Sequence, residues 1–347
     1  MVLLSLRERA RWWRGLSAGS PYVCAPMVLQ SELAFRMMAR KHGAGVCYSP
    51  MLPVKAFLAC PASSPPGARI LNAETGGPGT QDDYFTTCEG DRPVFAQLGG
   101  SDVDEVLAAA LLVQDRVDAV DLNFGCPQRC AHRDGYGAFL MDDPQRARRL
   151  VETLARELRV PVTCKIRIFP DLEDTLAWAR MLQDAGAAAI AVHGRRREQR
   201  HHEGLADWAA IKAVKATLQI PVIANGNVQA RADADACLRE TGVDAVMSAT
   251  GLMENPRLFD TAGGVVDRSH ESLEGRVSLA FEYLKHAAEY PDGCLPRMVS
   301  DHLLAILRPE LARHPRLRKR IKDYAKNGSV PQQAELVLRV AASRRPL

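Results

Sequence analysis

The 347-residue sequence contains no run of about 18 apolar residues, so no segment reads as a membrane-spanning helix. Neither sign of charge dominates: 45 Lys and Arg against 41 Asp and Glu leave +4, too little by itself to point to a nucleic-acid partner. The nine cysteines lack regular spacing and read as reduced thiols rather than a disulfide framework. Cys126 and Cys130 stand close enough to resemble a metal pair, but no second pair follows, and no zinc site is expected. His201 and His202 are adjacent, and neighbouring side chains seldom face one ion, so no metal is assigned there either. No Gly-x-Gly-x-x-Gly follows the first apolar run, which weakens the case for an open, doubly wound dinucleotide fold.

What is present is a regular rhythm. Hydrophobic content of 47% and charged content of 25% fit an ordinary globular core. Eight short apolar runs recur: Tyr22–Met27, Gly45–Tyr48, Val94–Leu98, Ala119–Leu122, Val162–Ile166, Ala189–His193, Pro221–Ala224 and Ala245–Met247. Segments of helical spacing lie between them, among them Leu172–Ala185 and Trp208–Thr217. Continuous apolar strands alternating with helices imply a parallel sheet buried on both faces. Eight such units predict an α/β fold, a (β/α)8 TIM barrel, over residues 1–263. Past Phe259 only helical patterns remain, at Arg268–Tyr290, Leu295–Leu307, His314–Ala325 and Pro331–Ser343. They predict a small C-terminal helical domain over 264–347, with the boundary near Gly263-Gly264. Cys60–Asp91, with Pro65-Pro66 and Gly76-Gly77, reads as an excursion on the catalytic side. Arg7, Arg9, Arg11 and Arg14 leave two readings of the N-terminus, a mitochondrial presequence and an amphipathic lead-in helix. Glu8, which interrupts the cationic face, favours the helix.

Polar residues stand at the ends of these runs, the edge of a parallel barrel where chemistry takes place. Asp121-Leu-Asn-Phe-Gly-Cys-Pro-Gln128 puts an amide, Asn123, and a thiol, Cys126, just past the fourth run. The other ends carry Pro26 and Met27, Gln97, Lys165 and Arg167, His193 and Arg195, Asn225-Gly226-Asn227, and Thr250-Gly251. Glycine-bearing loops after the seventh and eighth strands suit a phosphate, a fixed cation at Lys165 suits an anionic ring, and Gln97 offers a donor and an acceptor. FMN is the cofactor that such a mouth fits. A strand-end lysine is as often an ion-pair partner, and a lone histidine is more often bound to the backbone; the ordered set carries the reading. Arg308–Lys326 holds eight Lys or Arg against Glu310 and Asp323. Composition alone makes this run a solvated helix face, with a phosphate-contact surface as the alternative.

Ala25-Pro-Met27, Asp121–Gln128, Tyr136-Gly-Ala-Phe-Leu140, Lys165-Ile-Arg167, Val192-His-Gly-Arg195 and Ala224-Asn-Gly-Asn227 resemble the tRNA-dihydrouridine synthases over roughly residues 20 to 260. Gln128 and Tyr136–Leu140 are similar to the eukaryotic-type branch that acts on D-loop positions 16 and 17. The resemblance implies FMN along Pro26, Met27 and Val28, with Gln97 and Lys165 at its ring. It implies phosphate contacts from His193, Asn225, Gly226, Asn227, Thr250 and Gly251. NADPH (or NADH) would be the reductant, tRNA the substrate, and Cys126 the acid that protonates C5 of a flipped-out uracil oriented by Asn123 and Arg167. A thiol still holds its proton at pH 7, which an ordinary carboxylic acid does not. Arg195, Arg196, Arg197, Arg200 and the basic run are expected to meet the tRNA, and with the family in view the phosphate-contact reading of that run gains the upper hand. The expected state is a monomer with no metal and no membrane attachment, in the cytoplasm, with nucleus and mitochondrion left open.

Three positions depart from the family pattern. Ala249–Pro256 lacks an Arg after its Gly, Arg195-Arg-Arg197 stands where a Thr commonly interrupts the basic pair, and His132-Arg-Asp134 replaces a basic-Gly step, which bears on substrate preference. Two rival functions keep part of the pattern: an FMN barrel acting on a free pyrimidine, and an RNA-binding descendant without flavin. The basic tail argues against the first, and intact Gln97, Cys126, Lys165 and His193 argue against the second.

Overall fold

The computed structural model describes residues 4–17, 19–62, 79–199, 203–260 and 272–342. Its strands are β1 (Tyr22–Cys24), β2 (Val46–Tyr48), β3 (Leu52–Pro53), β4 (Val94–Gly99), β5 (Ala119–Phe124), β6 (Val162–Ile168), β7 (Ala189–Arg196), β8 (Val222–Asn225) and β9 (Ala245–Ser248). The helices are α1 (Leu6–Ser17), α2 (Leu33–Lys41), α3 (Val54–Ala59), α4 (Gln81–Tyr84), α5 (Val103–Val113), α6 (Arg129–Arg133), α7 (Pro144–Glu157) and α8 (Leu172–Asp184). They continue with α9 (Trp208–Thr217), α10 (Arg231–Thr241), α11 (Thr250–Glu254), α12 (Leu273–Glu289), α13 (Pro296–Ile306), α14 (Arg308–Arg313), α15 (Pro315–Asn327) and α16 (Val330–Ala342).

Eight strands close into a parallel barrel. β4 through β9 pair in sequence, β9 pairs with β1, β1 with β2, and β2 with β4. Each of the eight apolar runs lies on one of these strands. The short β3 adds to the C-terminal end of β4, Leu52 opposite Leu98, and has no counterpart in the expected eight. Side chains alternate across each strand, so one set packs outward against the helices and the other fills the barrel. The inner set at the N-terminal end is small: Ala119, Ala189 and Ala245. Phe95 and Tyr48 occupy the room that these leave, their rings 5.1 Å apart edge to face.

The Arg-rich N-terminus is the expected lead-in helix. α1 closes the bottom of the barrel: Trp12 stacks on Phe95 at 5.7 Å, and Trp13, only 2% exposed, meets the same ring edge-on at 6.4 Å. Arg9 is buried and donates through Nη1 to the carbonyls of Gln183 and Ala187, so one of the four arginines is a structural tie to the end of α8. Four of the outer helices, α5, α7, α8 and α9, start on aspartate caps: Asp102, Asp143, Asp171 and Asp207 each accept from a backbone N–H in the following turn. Asp83 sits in a capping box with Thr80, and Asp82 pairs with Arg116. Met38 is fully buried behind β1, as core packing requires.

The C-terminal helices follow the sequence pattern closely. α12 packs on α2 of the barrel, α13 on α11, α15 on α13, and α16 on α12 and α13. Gly263, Gly264, the Pro65–Gly79 punctuation up to residue 78, Arg200, His201 and His202 lie outside the described residues. Among the described residues, no helix is long and apolar enough to cross a membrane, and no three metal-ligating side chains converge.

Candidate active site

A directed chain of hydrogen bonds runs across the C-terminal ends of β4, β5 and β6. Register places Gln97 beside Asp121 and Asp121 beside Thr163, one row below Asn123 and Lys165. The Thr163 hydroxyl donates to Asp121 Oδ1 at 2.6 Å, and Gln97 Nε2 donates to Asp121 Oδ2 at 2.8 Å. Gln97 Oε1 then accepts from Asn123 Nδ2 at 2.9 Å. Asn123 Oδ1 accepts from the backbone N–H groups of Gly125 and Cys126, at 3.0 and 2.9 Å. An ionised carboxylate only accepts, so Asp121 fixes the amide orientation of Gln97, which fixes that of Asn123. The result is a tight turn that aims Cys126 from the lip of β5. Burial pushes the Asp121 carboxyl up to about 6, against the pull of Thr163, Gln97 and the Lys165 charge.

The Cys126 turn is held from two further sides. Its carbonyl accepts from Ala138 N–H at 3.0 Å. Gly137 lies beneath it at φ +70°, where a Cβ would come within 2.5 Å of that same carbonyl oxygen. Glycine is therefore required at Gly137 both by backbone conformation and by space. Arg167, on β6, donates through Nε to the Gly125 carbonyl at 2.8 Å and through Nη1 to the carbonyls of Arg196 and Gln199.

Cations crowd this mouth. Lys165 lines it, and among the described residues its ammonium has no hydrogen-bond partner. Burial, with Arg167 adding to it, lowers the Lys165 ammonium to about 8, while Asp121 and Cys126 act the other way. His193 lies opposite Arg167 on β7 and is held well below the usual imidazole range, first by burial, then by Lys165, Arg167 and Arg195. A neutral His193 accepts at Nε2 from Arg195 Nη1 at 3.2 Å, so its proton resides on Nδ1. Arg195 also grips the Gly204 carbonyl, at 3.1 and 3.0 Å, and donates to Asn227 Oδ1 at 3.0 Å.

Two cavities meet at His193 and Thr250. One, of about 560 Å³, is lined by Pro26, Met27, Val28, Gln97, Asn123, Cys126, Lys165, Arg167, His193 and Thr250. The other, of about 580 Å³, is lined by His193, Arg195, Asn225, Gly226, Asn227, Thr250 and Gly251. Both volumes lie in the range of roughly 300–1,000 Å³ usual for small-molecule sites. In the second cavity the backbone itself forms the wall. Gly226 has φ +116°, and a Cβ there would come 2.5 Å from Ala206; a Cβ on Gly251 would come 2.4 Å from the Val228 carbonyl oxygen. Asn225 Nδ2 donates to the Met247 carbonyl, and Asn227, itself at φ +63°, clasps the backbone of Ala206 through both ends of its amide. The N-cap of α11, Ala249, makes no side-chain cap bond, and the first turn of the helix opens on this cavity at Thr250 and Gly251.

All fifteen residues singled out from the sequence therefore lie around one continuous mouth, with three changes of emphasis. Arg195 lines the glycine-rich cavity and not the one that holds Cys126. Asn123 spends most of its hydrogen-bonding capacity on the Cys126 turn, and Arg167 gives one of its three bonds to that turn, at the Gly125 carbonyl. The sequence reading also missed residues. Asp121 and Thr163 look like ordinary strand positions until register brings them together. Arg297 and Asp301, on α13, reach the rim of the Cys126 cavity from the helical region, more than 170 residues along the chain from Cys126. Their only sequence signal is an i, i+4 charged pair.

A family model described as Dihydrouridine synthase (Dus) matches residues 23–335. The chain is 39% identical over 311 residues to tRNA-dihydrouridine(16/17) synthase [NAD(P)(+)]-like of Mus musculus, covering 89% of this chain and 60% of that protein. It is 38% identical over 304 residues to tRNA-dihydrouridine(16/17) synthase [NAD(P)(+)] of Saccharomyces cerevisiae, covering 85% of this chain and 67% of that one. The chain thus spans about three-fifths of the length of its mouse relative, 60% by residue. Among solved structures, a 2-naphthoyl-CoA reductase in complex with 2-naphthoyl-CoA matches with a TM-score of 0.51 at 10% identity, over 70% of this chain and 49% of that chain; this likeness is one of fold alone. With a matching model over most of its length, the chain belongs to the dihydrouridine synthase family.

Proposed function

We propose that this chain reduces uridine to 5,6-dihydrouridine in the D-loop of tRNA, at positions 16 and 17 named for its mouse and yeast relatives, with FMN as cofactor and NADPH as reductant. The carrying observation is the convergence of a thiol, a lysine with no hydrogen-bond partner among the described residues and a neutral histidine on two joined cavities. The donor set fits FMN. Lys165, Arg167 and Arg195 supply positive charge with Asp121 as the nearest buried acid, which suits a phosphate at one end and an electron-rich ring at the other. His193, Arg195, the Asn225–Asn227 loop and the amides of Thr250 and Gly251 would hold the phosphate; Pro26, Met27 and Val28 would flank the ring; Gln97 and Lys165 would meet its polar edge. When bound, FMN supplies the hydride that is added to C6 of the uracil.

The residues of this chain do the rest. Cys126, held by the Asn123 turn, donates a proton to C5 of the uracil. The thiolate left behind is stabilised by Lys165 and Arg167, whose charges the Cys126 sulfur already senses. Among the described residues Arg167 Nη2 has no partner, and it is the donor left to the uracil carbonyls. Arg297 and Asp301 line the outer rim. A uridine must leave its stack to enter, and α15 supplies backbone contacts for the rest of the tRNA. Arg316, Arg318, Lys319 and Lys322 are exposed along it, one layer behind α13. On this reading residues 264–347 form the tRNA-binding domain.

The test is Cys126→Ala. It should leave flavin bound and NADPH-driven flavin reduction intact, while dihydrouridine formation in an unmodified tRNA transcript collapses. Full reduction of tRNA by that variant refutes the assignment of the proton donor. Reoxidation of the reduced protein by free pyrimidines without tRNA would favour the rival substrate class.

A further inference from the structure

We propose that the groove on the outer side of Pro127 and Gln128 is a second nucleobase subsite, which holds the base next to the uridine that enters the Cys126 cavity. The inference rests on the dihydrouridine reading above and names a specificity element of the same substrate. The groove measures about 770 Å³ and shares Pro127 and Gln128 with the Cys126 cavity. An RNA strand that places one base in the cavity therefore lays a neighbour against the groove.

The wall of the groove is built from flat groups. The His132 ring meets Phe139 edge-on at 4.6 Å, and the Arg197 guanidinium stands over Phe139 at 5.8 Å. Arg197 is fixed in plane by Asp142 at 2.6 Å and by Glu198 at 3.3 Å. Aromatic rings and guanidinium planes are the surfaces on which unstacked RNA bases lie. The charges argue for a base and against a phosphate: Asp142 and Glu198 offset Arg129 and Arg197. The two carboxylates accept from exocyclic amino groups, so they favour cytosine, adenine or guanine over uracil in the subsite. His132 is exposed at the mouth of the groove, near the end of α6, where His132-Arg-Asp134 departs from the family pattern.

Binding is measured at equilibrium between the flavin-loaded full chain and an unmodified tRNA transcript, at several salt concentrations. His132→Ala should weaken binding about tenfold, the order of one stacked base. Its salt slope should stay parallel to that of wild type, because the same phosphates remain neutralised. His132→Phe should restore the affinity. An abasic residue on one side of the target uridine should cost wild type the same factor, and cost His132→Ala nothing more. The subsite is overturned by unchanged affinity in His132→Ala, by failure of His132→Phe to rescue, by a salt slope reduced by about one, or by fully additive losses with the abasic transcripts. Binding is read without turnover, so the two readings separate. A chain that binds tRNA through His132 and forms no dihydrouridine overturns the proposed chemistry; one that forms dihydrouridine with His132→Ala unaffected overturns the subsite.

Discussion

Asn123→Asp is the sharpest probe of the polar chain that aims Cys126. The substitution keeps the acceptor that Gly125 and Cys126 use, at 3.0 and 2.9 Å, and replaces only the donor that faces Gln97. Gln97 must then turn its amide to serve the new carboxylate, and that points its own carbonyl oxygen at Asp121. One acceptor–acceptor contact remains in a buried row, whichever way the amide lies, at a cost of about 1–3 kcal/mol. A proton on Asp121 removes the conflict, and Asp121 already binds one at about 6 because of its burial. In wild type this folded value exceeds the unfolded one, so the associated stability is complete at low pH and declines as pH rises through about 6. The second carboxylate raises the folded value further, and each unit is about 1.4 kcal/mol. The gap between variant and wild type should thus be small at pH 5 and grow to about 3 kcal/mol by pH 8. Urea unfolding followed by tryptophan fluorescence at four pH values measures it, with Asn123→Ala as the uncharged control whose deficit follows the wild-type pH profile. A deficit in Asn123→Asp that is constant with pH, or largest at low pH, refutes the directed chain.

Other perturbations read other parts of the molecule. Charge reversal at Arg316, Arg318 and Arg320 should weaken tRNA binding and flatten its salt dependence by about one unit of slope for each phosphate no longer neutralised, whereas unchanged affinity puts the RNA surface elsewhere. Trp13→Ala empties the bottom of the barrel and should cost about 3 kcal/mol in urea unfolding, the lower end for a buried tryptophan because among the described residues its indole N–H has no partner. Flavin content in that variant should match wild type, since Trp13 lies at the end of the barrel opposite the cavities; loss of flavin would show that the two ends are coupled.

The barrel was legible because a parallel strand buried on both faces must be apolar throughout, and Val162–Ile166 or Ala189–His193 have few other uses. The mouth was legible for a related reason: Lys165, His193 and Asn225 interrupt such runs at their C-terminal ends, where only a site compensates for burying them. What stayed hidden depends on neighbours that the linear order does not name. The shared row of Gln97, Asp121 and Thr163 follows from pairing between three strands. That row makes Asn123 a brace of Cys126. The two-residue β3 was missed because Leu52-Pro53 is too short to carry a period, and its strand character comes from pairing with Leu98 and Gly99. The N-terminal segment reads as an amphipathic helix, but the ring on which its Trp12 and Trp13 pack, Phe95, is known only once the barrel closes.

Arg297 and Asp301 were hidden for a different reason, and that reason bears on specificity. They reach the cavity only because α13 is seated on the barrel by buried polar groups. Glu32, just before α2, accepts from Tyr283 of α12 at 2.8 Å and meets His302 Nε2 of α13 at 3.0 Å, while Phe35 stacks on the His302 ring at 4.4 Å. Burial raises the Glu32 carboxyl, but His302 and Tyr283 outweigh it and hold the group below its ordinary value. A second junction joins Glu282 of α12 to Lys41, His42 and Arg257; against its burial, these bonds bring that carboxyl down to about 2. Breaking one partner of a buried pair such as Glu32 and His302 typically costs about 3–5 kcal/mol. A basic helix on a loose tether would raise the local concentration of tRNA without favouring one uridine over the next. α15 packs along α13, and α13 is locked to α2, so the angle between the basic face and Cys126 is set by Glu32, Tyr283 and His302. Under the proposed function, the choice of uridine is then a property of this seam as well as of the cavity, and variants at Glu32 should alter which D-loop position is reduced before they abolish reduction.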